Sequence, residues 1–303
     1  MAKPKNPLFS LETHGSLAKT LTFQKSGGTA TVRSKPLPSD PYSLAQAYQR
    51  WTYQDYAHLW TVQLQATKNA YQTRASRYAM TGFALWMRES LTALSALLGN
   101  WHLDEGAGAT AFDSSRNAIN GTYFGPVPIR GPIALARYFD GANDYVDCTN
   151  NPLYDLTGNL TIEAFISTPN VAHRGRIFNR GTFNATGYDF WLDNQMLRFR
   201  TTQAAANQTT AAAGAITVNN RIYHVAVTRE GATAIIYVNG IDATTAPAAH
   251  IDPLSNPGPA YIGIYQNLIE SEFHGTIDEV KLHSRILTSS ELIEHSRRRY
   301  PRQ

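Results

Sequence analysis

Tyr223-His-Val-Ala-Val-Thr-Arg-Glu-Gly-Ala-Thr-Ala-Ile-Ile-Tyr-Val-Asn-Gly240 holds two short runs of β-branched and aromatic residues and closes on Asn-Gly. Runs of this length and composition read as β-strands. Asn-Gly supplies the positive φ that a tight turn after a strand requires. Similar runs recur on both sides: Ala136-Arg-Tyr-Phe139, Tyr145-Val-Asp-Cys148, Leu160-Thr-Ile-Glu-Ala-Phe-Ile166, Gly187-Tyr-Asp-Phe-Trp-Leu192 and Met196-Leu-Arg-Phe-Arg200. Gly, Asn, Asp and Pro punctuate them, which is the texture of a β-sandwich. Residues 203–215 are mostly Ala, Thr, Gln and Asn and read as a long loop. The one clear helix of this region is terminal, because Thr288-Ser-Ser-Glu291 is a capping box ahead of Leu292 and Ile293.

Toward the amino terminus the texture differs. Residues 1–15 read as an extended arm. Leu21-Thr-Phe-Gln-Lys25 and Thr29-Ala-Thr-Val-Arg33 flank Ser26-Gly27-Gly28 and read as a hairpin. Pro36, Pro38 and Pro41 make the next segment an extended linker. From Ser43 apolar residues recur at helical spacing, and a second helical stretch runs from about Ala66 to Leu98 with a break at Gly82. Tyr48, Trp51, Tyr56, Trp60, Tyr71, Tyr78, Phe83 and Trp86 are candidates for a small helical core. The expected organisation is therefore residues 1–41 as arm, hairpin and linker, 42–98 as a helical module, 99–296 as an all-β jelly-roll sandwich, and 297–303 as a basic tail.

Charge is segregated. The first 98 residues carry eleven Lys and Arg against four Asp and Glu, whereas the remainder carries sixteen against nineteen. A basic head of this kind fits an anionic partner or an assembly contact, with Lys19, Lys25, Arg33, Lys35 and Arg50 as the contacting residues. Nucleic acid is an admissible partner, although no nucleic-acid-binding motif is present. The single cysteine, Cys148, allows no intrachain disulfide and reads as a small core residue. No run approaches the ~18 apolar residues of a membrane span. Met-Ala-Lys-Pro-Lys-Asn-Pro7 lacks the apolar stretch of a signal peptide.

Several motifs fall in a familiar order. Gly99-Asn-Trp-His-Leu-Asp-Glu-Gly-Ala-Gly108, Asp113-Ser-Ser-Arg-Asn117 and Gly121-Thr122 come first, then Phe139-Asp-Gly-Ala-Asn-Asp-Tyr-Val146. Leu160–Phe165, Tyr223–Arg229, Ile236–Gly240, Tyr261-Ile-Gly263, Phe273–Val280 and Ser284–Glu291 follow. Together they resemble the laminin-G-like domains of the concanavalin A-like lectin class over about 200 residues. The resemblance implies two stacked antiparallel sheets and a role in carbohydrate or protein binding. It also implies a structural Ca²⁺, for which Asp140, Asn143 and Asp278 are the oxygen ligands to test. Tyr154, Phe183 and Tyr265 are candidate sugar platforms. More loosely, Gly15-Ser-Leu-Ala-Lys19, the basic hairpin, the Lys-Pro linker, the Gln- and Arg-bearing helix and Gly82-Phe83 resemble, over about 70 residues, a small module found in phage and environmental prokaryotic genes.

An enzyme is not expected. Glucan hydrolases on this fold carry carboxylates alternating on one strand face, and neither Glu270-Ser-Glu272 nor Asp278-Glu279 has that spacing. The nine histidines are scattered, with His274 and His283 expected to face each other across a strand end. The resulting expectation is a non-enzymatic structural protein of a phage-like virion, a capsid decoration or tail-associated subunit. It would assemble in the host cytoplasm, oligomerise with other virion proteins and display the sandwich to a host-surface glycan. The alternative is a cell-surface, lectin-like carbohydrate-binding protein.

Overall fold

The computed structural model describes residues 15–17, 21–26, 29–34, 53, 57, 60–61, 63–78, 80–268 and 271–297. For the first three segments, Tyr78 and 89–95 it describes the backbone alone. The chain forms two compact units, Met1–Ala47 and Tyr48–Gln303. In the first, β1 (Gly15–Leu17), β2 (Leu21–Ser26) and β3 (Thr29–Ser34) form an antiparallel sheet in that order. The β2–β3 pairing closes at Ser26 and Thr29, so the expected hairpin is present.

The second unit starts with helices. Helix α1 (Gln65–Ala75) and helix α2 (Gly82–Ser95) stand where the 3.6-residue period indicates, with the break at Gly82. A Cβ at Gly82 would lie 2.9 Å from the backbone nitrogen of Gln72, so only glycine permits this close approach of the two helices. The Trp60 ring lies 5.9 Å from Tyr71, 6.0 Å from Phe83 and 5.9 Å from Trp86. These four are the described part of the expected aromatic core. The side chains of Tyr48, Trp51, Tyr56 and Tyr78 lie outside the described residues. The helical stretch ends earlier than its apolar pattern indicates, because Leu97 and Leu98 already belong to a strand.

That strand is β4 (Leu97–Trp101). The sandwich continues with β5 (Thr110–Ala111), β6 (Gly121–Phe124), β7 (Val127–Arg130), β8 (Leu135–Asp140), β9 (Tyr145–Asp147), β10 (Leu160–Ser167) and β11 (Arg174–Thr182). Next come β12 (Thr186–Asp193), β13 (Met196–Gln203), β14 (Ala206–Ala212), β15 (Tyr223–Glu230) and β16 (Thr233–Val238). Strands β17 (Ile241–Asp242), β18 (Tyr261–Ile262) and β19 (His274–His283) precede helix α3 (Ser289–Arg297). The back sheet runs β17-β16-β15-β10-β19-β8-β7, with β4 also paired to β19, and the front sheet runs β14-β13-β12-β11-β18-β9-β6-β5. This is the jelly-roll architecture expected from the strand pattern. One expectation fails. Residues 206–212 form the edge strand β14 and pair with β13 from Gln203–Ala206 to Leu197–Ala212. Ala205 at φ 66° makes the turn, Thr201 and Thr202 donate across the pair to Gln208 and Asn207, and Asn207 also bonds Asn184 between β11 and β12.

Alternation decides what enters the core. Leu160, Ile162, Ala164 and Ile166 of β10 point inward, as do Val225 and Val227 of β15. Tyr188, Phe190 and Leu192 of β12 meet them from the front sheet, with Leu197 and Phe199 of β13. The Asp113 carboxylate ties the first loop down. It accepts from the backbone of Asn100, Ser115 and Ile119 and from the Ser115 hydroxyl, all at 2.8–2.9 Å. Buried donors with a charged acceptor are strongly held, which explains why Asp-Ser-Ser sits where it does. Asn239 and Gly240 adopt φ of 52° and 79°, as the Asn-Gly turn requires. A Cβ on Gly240 would meet Ile293 at 2.6 Å, so the same turn seats α3. Thr288 and Glu291 make the capping box reciprocally, at 2.8 Å and 3.3 Å. Cys148 is buried and free, and burial pushes its thiol pKa up.

Candidate functional site

Because strand residues alternate faces, the front sheet presents the complement of its core residues to the outside. One row of register partners crosses it: Thr122, Asp147, Tyr261, Asn179, Asp189, Arg200 and Thr209. Two residues further along their strands, Tyr145, Trp191 and Arg198 share that face. A register shift in β11 between Arg176 and Phe178 turns Arg176 outward beside Trp191 while Phe178 stays in the core.

On this face cations and rings alternate. The Arg200 guanidinium carbon lies 4.7 Å from the centroid of Phe183 and 5.2 Å from that of Trp191. Arg176 lies 4.6 Å from Trp191 and 4.9 Å from Tyr265. The order is therefore Phe183, Arg200, Trp191, Arg176, Tyr265. Beneath it Asp189 bonds Arg200 at two positions, 3.1 Å and 2.8 Å, and sits 3.0 Å from Arg176. Asp193 is shared in the same way, 3.1 Å from Arg174 and 3.3 Å from Arg198. Ring faces attract cations through their quadrupole, and burial strengthens the attraction. Burial pulls the Arg176 pKa down from its usual value, against the opposing charge of Asp189. Further across the sheet, Phe124 stacks on Tyr145 at 4.6 Å and Tyr261 meets Tyr145 edge-on at 5.9 Å. From Trp191 on β12 to Phe124 on β6 these rings span four strand spacings, about 19 Å.

Exposure is graded along the ladder. Phe183 is 51% exposed, whereas Tyr265 is 8%, Trp191 6% and Arg176 6% exposed. Arg176 Nη1 and Asn179 Oδ1 are buried without a hydrogen-bond partner. Polar atoms in that state are costly and are expected to find a partner.

The expected sugar platforms divide. Phe183 and Tyr265 come together, since the Tyr265 hydroxyl accepts the Phe183 backbone N–H. One ring face of Tyr265 is taken by Arg176, so it is a wall rather than an open platform. Tyr154 is 0% exposed and packs edge-on against Trp101 at 5.9 Å. It is a core residue and offers no face to a ligand. Its apolar neighbours explain the burial: a 3-10 turn, Pro152–Tyr154, drops the ring between the sheets.

The expected calcium ligands do not form one donor set. Asp140 pairs with His274, four residues along β19 from Asp278, a separation of ~13 Å. Asp140 caps its own turn by accepting the Ala142 N–H at 2.8 Å, and Asn143 is exposed. Asp278 is fully buried, and neither carboxylate oxygen has a partner. Among the described residues no group of three His, Cys, Asp or Glu is placed to hold a metal ion. His274 and His283 occupy opposite ends of β19, where His274 meets the Tyr138 hydroxyl at 3.0 Å and His283 meets Glu163. Of the assembly candidates, Lys25 and Arg33 lie in β2 and β3 with side chains outside the described residues. Lys19, Lys35 and Arg50 lie outside them altogether.

Trp191, Arg176, Arg200 and Asp189 were not among the sequence candidates. A signal was present: Asp189, Trp191 and Asp193 alternate with core residues, and so do Arg198 and Arg200 on the following run.

A model of the concanavalin A-like lectin/glucanases superfamily matches residues 140–293. A search of curated proteins finds no match. Among solved structures, the binding domain of Paraclostridial Mosquitocidal Protein 1 aligns with TM-score 0.55 and 14% identity, covering 67% of this chain and 52% of that one. Domain 4 of AbnA, an extracellular arabinanase from Geobacillus stearothermophilus solved with arabinotriose, aligns with TM-score 0.51 and 13% identity. That match covers 66% of this chain and 98% of the domain. The Botulinum neurotoxin serotype D binding domain aligns with TM-score 0.52 and 14% identity, covering 68% of this chain and 51% of that one. The chain thus spans about half the length of the toxin binding domains it matches. At these identities the likeness is one of fold. Over its sandwich, the chain belongs to the concanavalin A-like lectin/glucanases superfamily.

Proposed function

We propose that the chain is a carbohydrate-binding protein that engages its ligand on the outer face of the front sheet. The carrying observation is the ladder of Phe183, Arg200, Trp191, Arg176 and Tyr265 over Asp189. A pyranose offers an apolar face and a ring of hydroxyls. The half-exposed Phe183 ring suits the first, Trp191 and Tyr265 behind it hold the guanidinium planes, and guanidinium and carboxylate edges suit the second. Domain 4 of AbnA, with arabinotriose in its structure, and the toxin binding domains support a binding role for this fold. In this reading Asp189, engaged by two arginines, orients them for binding.

The test is a glycan array followed by titration calorimetry on the full chain. Wild type is expected to bind a glycan saturably. Trp191→Ala is expected to weaken it by about 1–3 kcal/mol, or ~5–150-fold. Unchanged binding in Trp191→Ala overturns the placement, and indifference across the array overturns the function.

A second reading sets the same protein on a phage-like virion. Its support is that residues 1–47 form a compact unit of their own, suited to an anchor. Solution mass by light scattering tests it, on the full chain and on a chain starting at Tyr48. A multimer that falls to a monomer on truncation favours the anchor, and a monomer in both cases rejects it.

A further inference from the structure

We infer that α3 is a proton-sensitive latch, which lifts from the back sheet on acidification while the sandwich stays folded.

The latch closes on one carboxylate. Glu163 of β10 is fully buried, and imidazoles reach it from three elements: His224 of β15 at 3.0 Å, His283 of β19 at 3.4 Å and His295 of α3 at 3.0 Å. His224 and His283 both approach through Nε2, so Nε2 carries the proton that bonds the carboxylate. Their other ring nitrogens, Nδ1, are buried without a hydrogen-bond partner. A second proton on either ring would add a charge there with no acceptor and no water. While α3 is seated, each ring is therefore held to one proton. Burial accordingly lowers the pKa of both, against the pull of Glu163.

The surroundings offer no compensation. Lys281 of β19 already lies 3.6 Å from Glu163 and 3.6 Å from Glu279. Glu279 in turn meets His102 of β4 at 2.6 Å, and Asp104 and Asp278 belong to that end of the cluster. At His102 burial would lower the pKa, but Glu279 outweighs it and raises it. That pair gains strength on acidification, and it joins β4 to β19, not α3. On and beside the helix, Glu291 is bonded by Arg285 and Thr288, while Glu294 and Arg297 are exposed. His295 is 17% exposed, and a proton gained there tightens its own bond to Glu163. It opposes release, one group against two.

The helix is built to leave alone. It is nine residues long and follows the last strand, so its release unpairs no ladder. Apart from His295, Leu292 seats it in a small patch with Ala226, Tyr237 and Leu287, and Ile293 seats it against Gly240. Elements with so few apolar contacts open locally, well below the cost of global unfolding. Once His295 leaves, water reaches Glu163 and the two imidazoles bonded to it. At pH 5 each imidazole freed to an ordinary pKa of about 6.5 favours the open state by up to about thirtyfold.

Hydrogen exchange read by mass spectrometry tests this on the full chain from pH 7.5 to pH 4, corrected for the intrinsic pH dependence of exchange. Peptides over 285–297 are compared with peptides over β10. Protection of α3 is expected to fall at least about tenfold by pH 5, with a midpoint between about pH 5 and 6.5, while β10 stays protected. In His224→Gln and in His283→Gln the amide still donates to Glu163 and takes no proton. Each variant is expected to reduce the acid loss severalfold and to protect α3 as wild type does at pH 7.5.

Constant protection of α3 down to pH 5 overturns the inference. So does a loss that β10 shares in step, which is global unfolding. A midpoint near pH 4 overturns it by assigning the loss to carboxylates such as Glu291, and this reading needs wild type alone. Where a variant already leaves α3 unprotected at pH 7.5, the wild-type midpoint decides. An acid loss unchanged in two well-protected variants overturns it as well.

Discussion

His295 on α3 sets its Nδ1 3.0 Å from both carboxylate oxygens of Glu163, at the centre of the back sheet. Glu163 is fully buried and also meets His224 at 3.0 Å, His283 at 3.4 Å and Lys281 at 3.6 Å. These groups come from β10, β15, β19 and α3. Burial alone would push the Glu163 carboxyl up, but Lys281, His295 and the bonds from His224 and His283 outweigh it and hold it well below the usual range. Leu292 packs beside this knot against Ala226 and Tyr237, so the ion cluster and a small apolar patch fasten α3 together.

Stability tied to this cluster is lost on acidification. Burial depresses the pKa of His224 and His283, with Glu163 opposing. A depressed folded pKa contributes stability that is present above the unfolded value, about 6.5 for His, and lost as pH falls below it. Glu163 adds the same sign at lower pH. The melting-temperature advantage of wild type over His283→Gln is therefore expected to shrink from pH 7.5 to pH 5. An advantage that stays constant or grows would contradict the assignment. Glu163→Gln strands Lys281 and three histidines and is expected to cost about 3–5 kcal/mol at pH 7, read from urea denaturation.

Asp278 works in the opposite direction. Burial first, and the charge of Glu279 second, push its carboxyl up to about 8. Its folded pKa exceeds the unfolded value, so the folded chain holds a proton that the unfolded chain releases. The carboxyl then destabilises the fold increasingly as pH rises from about 4 toward 8. Asp278→Asn keeps the shape and removes the charge. Its stability gain over wild type should grow by on the order of 2–4 kcal/mol between pH 5 and pH 8, at about 1.36 kcal/mol per pH unit before relaxation. Urea midpoints at the two pH values check this. A gain that shrinks with rising pH would mean that the carboxyl has a partner. Because Asp278 and the histidines slope oppositely, each is read as a difference between variant and wild type.

The strands were legible because their core faces are built from β-branched and aromatic residues at period two. The Asn239-Gly240 turn and the Thr288 to Glu291 cap were legible because each depends on local geometry alone. The ladder was not. Counting by twos puts Arg176 and Phe178 on one face, and the register shift between them puts them on opposite faces. Nor does the chain order reveal that Tyr265, from a loop after β18, closes over Arg176 of β11. Tyr154 misled because an isolated Tyr in an Asn- and Pro-rich loop looks exposed, while the loop folds its ring against Trp101. Strand β14 was hidden by composition: its Ala, Thr, Asn and Gln residues make an edge strand that sends only Ala212 into the core.

The position of Phe183 depends on a glycine four residues away. Strands β11 and β12 meet at Gly181–Gly187 and Thr182–Thr186, leaving Phe183-Asn184-Ala185 at the tip. Gly187 has φ 74°, and a Cβ there would lie 1.8 Å from the Arg180 carbonyl oxygen. No side chain fits without moving the backbone, so Gly187→Ala must open the hairpin end as well as adopt a disfavoured φ. The expected cost is about 1–3 kcal/mol in urea denaturation. Opening the end also shifts Phe183 from its place 4.7 Å from Arg200. Glycan affinity is therefore expected to fall in Gly187→Ala roughly as it does in Phe183→Ala, by about tenfold for one aromatic contact. The double variant should lose little more than either single one, because both remove the same ring. Additive losses would show that the hairpin places some other group on the ligand. A stability loss with full affinity would show that Phe183 does not contact it.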